Sequence, residues 1–396
     1  MDYRKFKADH LFTGYEMLGA DHVLVTDAKG TILSIVPATD AGNDIEILHG
    51  LLSPGFINCH CHLELSHLKG LIPEKKGLVD FVYTVVTQRY LPEEEIYDAI
   101  ARAEDEMIAN GIVAVGDICN NANTILQKQK QRLIYYDFIE VSGWLPQIAE
   151  SRFEKSKSFY NLYGQSILQG TANLAMAPHA PYSVSDELWK LIAPYFTNKT
   201  TTIHNQESSF EDELFKTGTG DFQRMYRLMN IDNGFFQPPG KSSLRSYLPK
   251  MKGAKKIMLV HNTFSGEEDI QFAASDQYLS SDIYFCLCIN ANQYIEQAIP
   301  PIELLRKYNC EIVLGTDSLA SNYHLSILDE IKTISSHFPL IPLAEMLQWS
   351  TINGAKALEI DNIVGSFSVG KMPGVILIEN INELNLTGKT SVRRIL

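Results

Sequence analysis

Residues 53–66 read SPGFINCHCHLELS. The run from Pro54 to His62 is strand-like, and side chains at i and i+2 of a strand point to the same face. His60 and His62 therefore converge and can share one ion. Alternation sends Cys59 and Cys61 to the opposite face, where small buried hydrophobes pack under helices. A four-cysteine zinc site from Cys59, Cys61, Cys286 and Cys288 is the rival arrangement, and it needs both strands to present their other face.

Seven more β-branched and aromatic runs follow: Ile112–Ile118, Leu133–Val141, Asn173–Ala180, Thr201–Glu207, Ile257–Thr263, Ile283–Asn290 and Glu311–Ser318. Segments with helical spacing of apolar residues lie between them, at Pro92–Asn110, Asp186–Phe196, Gly266–Gln277 and Ile302–Tyr308. Ser265-Gly-Glu-Glu268 reads as a capping box for the third of these. Strands alternating with helices imply an α/β protein with a parallel sheet, and eight units suggest a (β/α)8 TIM-like barrel over 54–363. From His60 to Asp317 there are about 260 residues, close to the ~250 of a typical barrel. An open doubly wound sheet is the alternative.

The two ends read differently. HVLVTD, TILSIV and IEILHG within 1–53, and VGSFSVGK, GVILIENI and SVRRIL within 364–396, are short strand-like patches without helices. They predict one small β-sandwich domain formed by both termini. The stretch 208–256, with the turn-rich FQPPGKSS, interrupts the alternation as either a lid or a surface excursion.

The chain has 396 residues, 45% hydrophobic and 20% charged, with a net charge of −13. That excludes a disordered chain and argues against nucleic-acid binding, which needs Lys and Arg against phosphates. No apolar run reaches the ~18 residues of a membrane helix, and the first ten residues hold no signal-peptide core. Six cysteines are no disulfide framework, so a cytoplasmic protein is expected.

His60, His62, His204, His261 and Asp317 all fall at the C-terminal ends of predicted strands, the face on which barrel enzymes build their sites. A nitrogen-and-oxygen ligand set of this kind suits zinc or iron. Glu207, three residues beyond His204, can take a proton from an activated water or give one to a substrate nitrogen. Tyr182, Trp144, Asn205, Gln206 and Asn322 are candidate pocket-lining residues, and Glu64 either touches substrate or braces its loop.

Together with APHAPYS (177–183), IHNQES (203–208), LVHNT (259–263) and LGTDSLASN (314–322), the opening motif resembles the amidohydrolase superfamily. More narrowly it is similar to the cytosine deaminase/chlorohydrolase group, over roughly 50–360 and in the same order, and GSFSVGKMPGVILI (365–378) resembles the group's return strand. The resemblance implies that His60, His62, His204 and Asp317 hold one divalent metal ion, Zn2+ or else Fe2+, because no lysine stands at the end of the fourth strand. It implies that Glu207 shuttles a proton, that His261 and Asp317 serve the attacking water, and that His179 contacts substrate. The implied activity is hydrolytic deamination of an amino-substituted heterocycle. The same machinery could expel chloride or open a cyclic amide, and a non-catalytic metal-binding protein is the rival from another class. The implied partner is a small heterocycle, with no nucleic acid and no membrane, and a homodimer is left open. One departure is Cys288-Ile-Asn-Ala-Asn292, where the group often carries Cys-Pro-Arg-Ser-Asn, so substrate contacts are not carried over there.

Overall fold

The computed structural model describes residues 3–166, 173–275 and 281–396. Among them, eight parallel strands form two four-stranded sheets. Phe56–Cys61, Ile112–Cys119, Ile134–Val141 and Leu174–Pro178 make the first; Thr200–Asn205, Lys256–His261, Asp282–Leu287 and Glu311–Leu314 make the second. Each strand lies beside its neighbour in sequence, as successive strand–helix units require. Hydrogen bonds join the sheets at both edges. Thr316 and Asp317 amides donate to the His60 carbonyl at 3.0 and 3.1 Å, and the His204 amide donates to the His179 carbonyl at 3.0 Å. Asn58 ties the first of these seams further, donating to Thr316 Oγ1 at 2.7 Å and accepting from its amide at 3.0 Å.

Alternation sorts the strand residues into two apolar layers. Ile57, Tyr136, Phe138, Ala177, Val260 and Cys286 pack with one another. Val115, Tyr135, Met176, Leu259 and Leu314 pack instead with helical residues such as Ile100, Leu188 and Ile331. Cys59 and Cys61 do not share a face, contrary to the alternation argument. The register of the first strand shifts between Asn58 and Cys61. Cys59 therefore sits in the inner layer with Cys286 and Cys288, and Cys61 in the outer one. All six cysteines are free.

The expected helices form at Glu93–Ala109, Asp186–Phe196, Glu267–Ala274 and Ile302–Lys307, with Gln277 lying outside the described residues. Asp186–Phe196 is capped by Ser185, whose hydroxyl accepts from the Leu188 amide, and it buries Leu188, Trp189, Ile192 and Phe196 at helical spacing. The capping box fails. Gly266 is the N-cap of Glu267–Ala274, and the Ser265 hydroxyl donates instead to Gln206 Oε1 at 2.7 Å.

Both termini contribute to one five-stranded sheet, in the order Ser391–Arg394, Val375–Glu379, Leu51–Pro54, His10–Phe12, Met17–Gly19. A second sheet contains Ile32–Pro37, His22–Asp27, Tyr3–Lys7 and Glu46–Ile47. VGSFSVGK forms no strand, since Gly365 and Gly370 take φ of +87° and +86° and turn the chain. The stretch 208–256 holds short helices, among them Ser209–Thr217 and Phe222–Leu228. Their Leu214, Phe222 and Tyr226 pack on Trp144, Tyr182 and Leu78.

Candidate active site

Six of the seven residues singled out by sequence meet with their side chains at the C-terminal ends of the strands. Asp317 Oδ1 lies 3.5 Å from Nε2 of both His60 and His62. Nε2 of His62 faces Nε2 of His204 at 3.3 Å. Glu207 Oε1 is 3.6 Å from His261 Nε2. The His60 ring centroid is 5.0 Å from that of His204 and 5.8 Å from that of His261. His179, the seventh, stands beside the cluster with its ring centroid 4.8 Å from that of His204 and its Nδ1 on Ser183 Oγ at 2.7 Å.

The backbone leaves its strands abruptly here. Gln206, His261, Asn262 and Asp317 take φ of +45°, +75°, +57° and +56°, a left-handed conformation uncommon outside glycine. A Cβ on Gly315 would meet His60 Cβ at 2.8 Å and the sulfurs of Cys286 and Cys288 at 3.0 Å, so only glycine fits two residues before Asp317.

The electrostatics favour a cation. Burial pushes His62 and His261 down to about 4, and His204 well below its ordinary value. Burial alone would raise Asp317, but His60, His62 and His261 beside it together outweigh burial and hold the carboxyl below the usual range. At neutral pH His62, His204 and His261 are then neutral and Asp317 is an anion, the forms that bind metal. Both ring nitrogens of His60 are buried without a hydrogen-bond partner. Three of the donor pairs, His60–Asp317, His62–Asp317 and His62–His204, stand 3.3–3.5 Å apart, close enough to share one ion. His60, His62, His204 and Asp317 fit a bound metal ion.

Neighbouring groups orient this set. His204 Nδ1 donates to the His179 carbonyl at 2.7 Å, and Ser321 Oγ donates to Asp317 Oδ2. Asn292 Oδ1 accepts from His261 Nδ1 at 2.8 Å, which leaves the Nε2 lone pair of the neutral ring toward Glu207. Burial raises Glu207 well above the ordinary carboxyl value, and nearby Asp317 adds to the rise.

Glu64 braces its loop, since Oε1 accepts from Arg89 at 2.7 Å and Oε2 from the Asn120 amide at 2.9 Å. The candidate pocket residues divide by chemistry. Asn205, Gln206 and Asn322 are spent on Asn262, Asp269 and Glu330. Trp144 and Tyr182 stack on Tyr226 and Phe222 to form an apolar wall.

Sequence reasoning missed Asn292, Ser321 and Glu140. Glu140 shares a potential ligand grouping with His62 and His204, their donor atoms all lying within 4.8 Å of one another. Its signal was present: an acid at the end of a buried strand, two residues after the inner Phe138.

The model of the amidohydrolase family matches residues 51–392. The chain belongs to that family. Membership makes it a hydrolase of carbon–nitrogen bonds. The chain is 25% identical over 386 residues to the 5-methylthioadenosine/S-adenosylhomocysteine deaminase of Saccharophagus degradans, covering 91% of this amidohydrolase and 80% of that protein. The crystal structure of Helicobacter pylori aminofutalosine deaminase with methylthio-coformycin aligns with a TM-score of 0.77 at 21% identity, over 97% of this chain and 93% of the other. The zinc complex of atrazine chlorohydrolase from Arthrobacter aurescens TC1 aligns with a TM-score of 0.72 at 14% identity, over 97% and 89%. No helix among the described residues is long and apolar enough to cross a membrane.

Proposed function

We propose that this amidohydrolase is a mononuclear aminohydrolase that replaces the exocyclic amine of a purine nucleoside with oxygen, releasing ammonia. The reading rests on one observation: the Glu207–His261 pair, 3.6 Å apart, lies against the set His60, His62, His204 and Asp317. A divalent ion held by those four residues supplies a water of lowered pKa. Glu207, whose pKa burial raises, donates a proton to the ring nitrogen beside the amine and makes the adjacent carbon electrophilic. The Asp317 carboxylate takes one proton of the attacking water, and the His261 Nε2 lone pair accepts a hydrogen bond from the O–H that remains. His179, fixed by Ser183, faces the substrate from the fourth strand. As the C–N bond breaks, the proton taken up by Asp317 passes to the amine, which leaves as ammonia, and the hydroxyl proton lost in forming the carbonyl restores the Glu207 acid.

The nucleoside is favoured by the relatives, which are named as adenosine-type deaminases. Zinc is favoured over iron because solved neighbours carry it. The same reading joins the two parallel sheets into a (β/α)8 barrel over 54–363, flanked by a β-sandwich from 1–53 and 364–396. It takes the enzyme to be a cytoplasmic one acting on small molecules. Ammonia release is measured from the zinc-loaded enzyme with adenosine, 5′-methylthioadenosine, guanine, an amino-triazine and a chloro-triazine. Turnover of an adenosine-type nucleoside supports the assignment. Chloride release without ammonia release overturns it in favour of a chlorohydrolase.

A further inference from the structure

We propose that Glu140 is a further catalytic residue, whose carboxylate accepts hydrogen bonds from the departing amine. The inference rests on the deaminase reading. Glu140 stands near the end of the strand Ile134–Val141, on the same face as Tyr136 and Phe138 of the inner layer. It is only 8% exposed, yet Oε2 is wholly buried without a partner, and no hydrogen bond among the described residues reaches the carboxylate. A buried unpaired carboxylate is costly, and such a group in a native site awaits a donor.

The donor is not a second cation. His62 and His204 offer the centre one nitrogen each, the pair facing at 3.3 Å, and His204 Nδ1 is committed to the His179 carbonyl. An ion held by His62, Glu140 and His204 would take the lone pairs that the first ion needs. The other acidic side chains around the site are engaged: Glu64 by Arg89 and Asn120, Asp317 by Ser321, Glu207 by His261. Glu140 is the acceptor left over.

Its distance selects what it meets. A carboxylate oxygen within 4.8 Å of two ligand nitrogens stands at the metal end of the site, where the reacting carbon would sit, rather than out toward a sugar. Glu207 and His261, from the fifth and sixth strands, attend the ring nitrogen and the incoming oxygen. Glu140 comes from the third strand, and the remaining substituent is the exocyclic nitrogen. That nitrogen carries two N–H bonds, gains the proton that Asp317 took from the attacking water as the C–O bond is completed and the C–N bond breaks, and leaves as ammonia. An acceptor-only carboxylate stabilises that change without itself exchanging a proton.

The test compares wild type with Glu140→Gln and Glu140→Ala on adenosine and 6-chloropurine ribonucleoside, which share sugar and ring but differ in the leaving group. The readout is kcat/KM, with the inhibition constant used for a compound not turned over, and zinc content and melting temperature are measured alongside. The expected result is a loss of about 10- to 100-fold on adenosine, from a hydrogen bond to a charged group, with the chloro compound within about threefold and zinc unchanged. Equal losses on both compounds would assign Glu140 to the sugar or ring. Loss of zinc would make it a metal ligand, and no loss would leave it without a role; each overturns the proposal. If wild type releases no ammonia from adenosine-type nucleosides, the deaminase reading fails first. If it does and the variants show no selectivity, only the role of Glu140 fails.

Discussion

Replacing Lys128 with Met removes one buried cation that holds two buried anions. The Lys128 side chain is 2% exposed, and its Nζ contacts Asp117 Oδ2 and, at 2.6 Å, Asp137 Oδ1, carboxylates that are 0% and 1% exposed. Cys119 Sγ lies 3.3 Å away, and the rings of Tyr135 and Tyr163 lie 4.9 and 5.2 Å from the ammonium. Burial works against the charged amine, but Asp117 and Asp137 more than compensate and raise its pKa well above the ordinary lysine value. Deleting one partner of a buried ion pair costs about 3–5 kcal/mol, because the other charge is left uncompensated. Against a typical total of about 5–15 kcal/mol, that is a third or more of the stability. The effect reaches the metal centre as well: Asp117 Oδ1 accepts from the Leu63 amide at 2.9 Å, directly after His62. Urea unfolding at pH 7 with zinc held constant is expected to show the full loss, and titration a weaker zinc affinity. The triple variant Lys128→Met/Asp117→Asn/Asp137→Asn is expected to recover much of the stability. A single variant within about 1 kcal/mol of wild type would refute the claim that this ammonium compensates the two aspartates.

Glu207→Gln is expected to lower kcat/KM by about 10²–10⁴ with zinc content unchanged. A fall in bound zinc would move Glu207 into the ligand set. Chelation is expected to destabilise the protein by about 2.7 kcal/mol or more relative to zinc at a hundred times its Kd. A melting curve of His60→Ala that still responds to zinc would contradict that seat for the ion. Glu330 is buried and pushed up to about 8 by desolvation, although it accepts from the Asn290 amide and Asn322 Nδ2, each at 3.0 Å. Between its ordinary 4.5 and about 8 the folded chain keeps a proton that the unfolded chain has released, so wild-type stability falls as pH rises through that window. Glu330→Gln lacks this slope, and from pH 5 to 8 its stability relative to wild type should climb by up to about 1.4 kcal/mol per pH unit. A constant difference between the two unfolding curves would exclude the titration.

Local patterns were the legible part of the fold and site. The His60–His62 pair reads from strand alternation alone, and the strand–helix rhythm placed His204, His261 and Asp317 at strand ends. What failed depended on contacts distant in sequence. Ser265 looks like a helix cap until Gln206, 59 positions away, claims its hydroxyl. Cys59 and Cys61 look equivalent until the irregular register beside Ile112–Cys119 separates them. Asn292 gains meaning only where His261 meets it, and Glu140 only where His62 and His204 do. The terminal strands Tyr3–Lys7 and His10–Phe12 are too short and too polar to announce themselves, and pairing with His22–Asp27 and Leu51–Pro54 stabilises them.

Gln206, His261 and Asn262 turn the chain at or one residue past the ends of their strands, and Asp317 does so three residues past Leu314. The donors of the centre thus belong to the stiff sheet, and the segments that follow belong to whatever must be recognised. Within 208–256, however, Glu211 Oε1 accepts from the Gln206 amide and the Tyr247 hydroxyl donates to Asn205 Oδ1, so the stretch also clamps the strand end that carries His204 and Glu207. Redesign for a new heterocycle would keep those two contacts and leave the kinked tips intact.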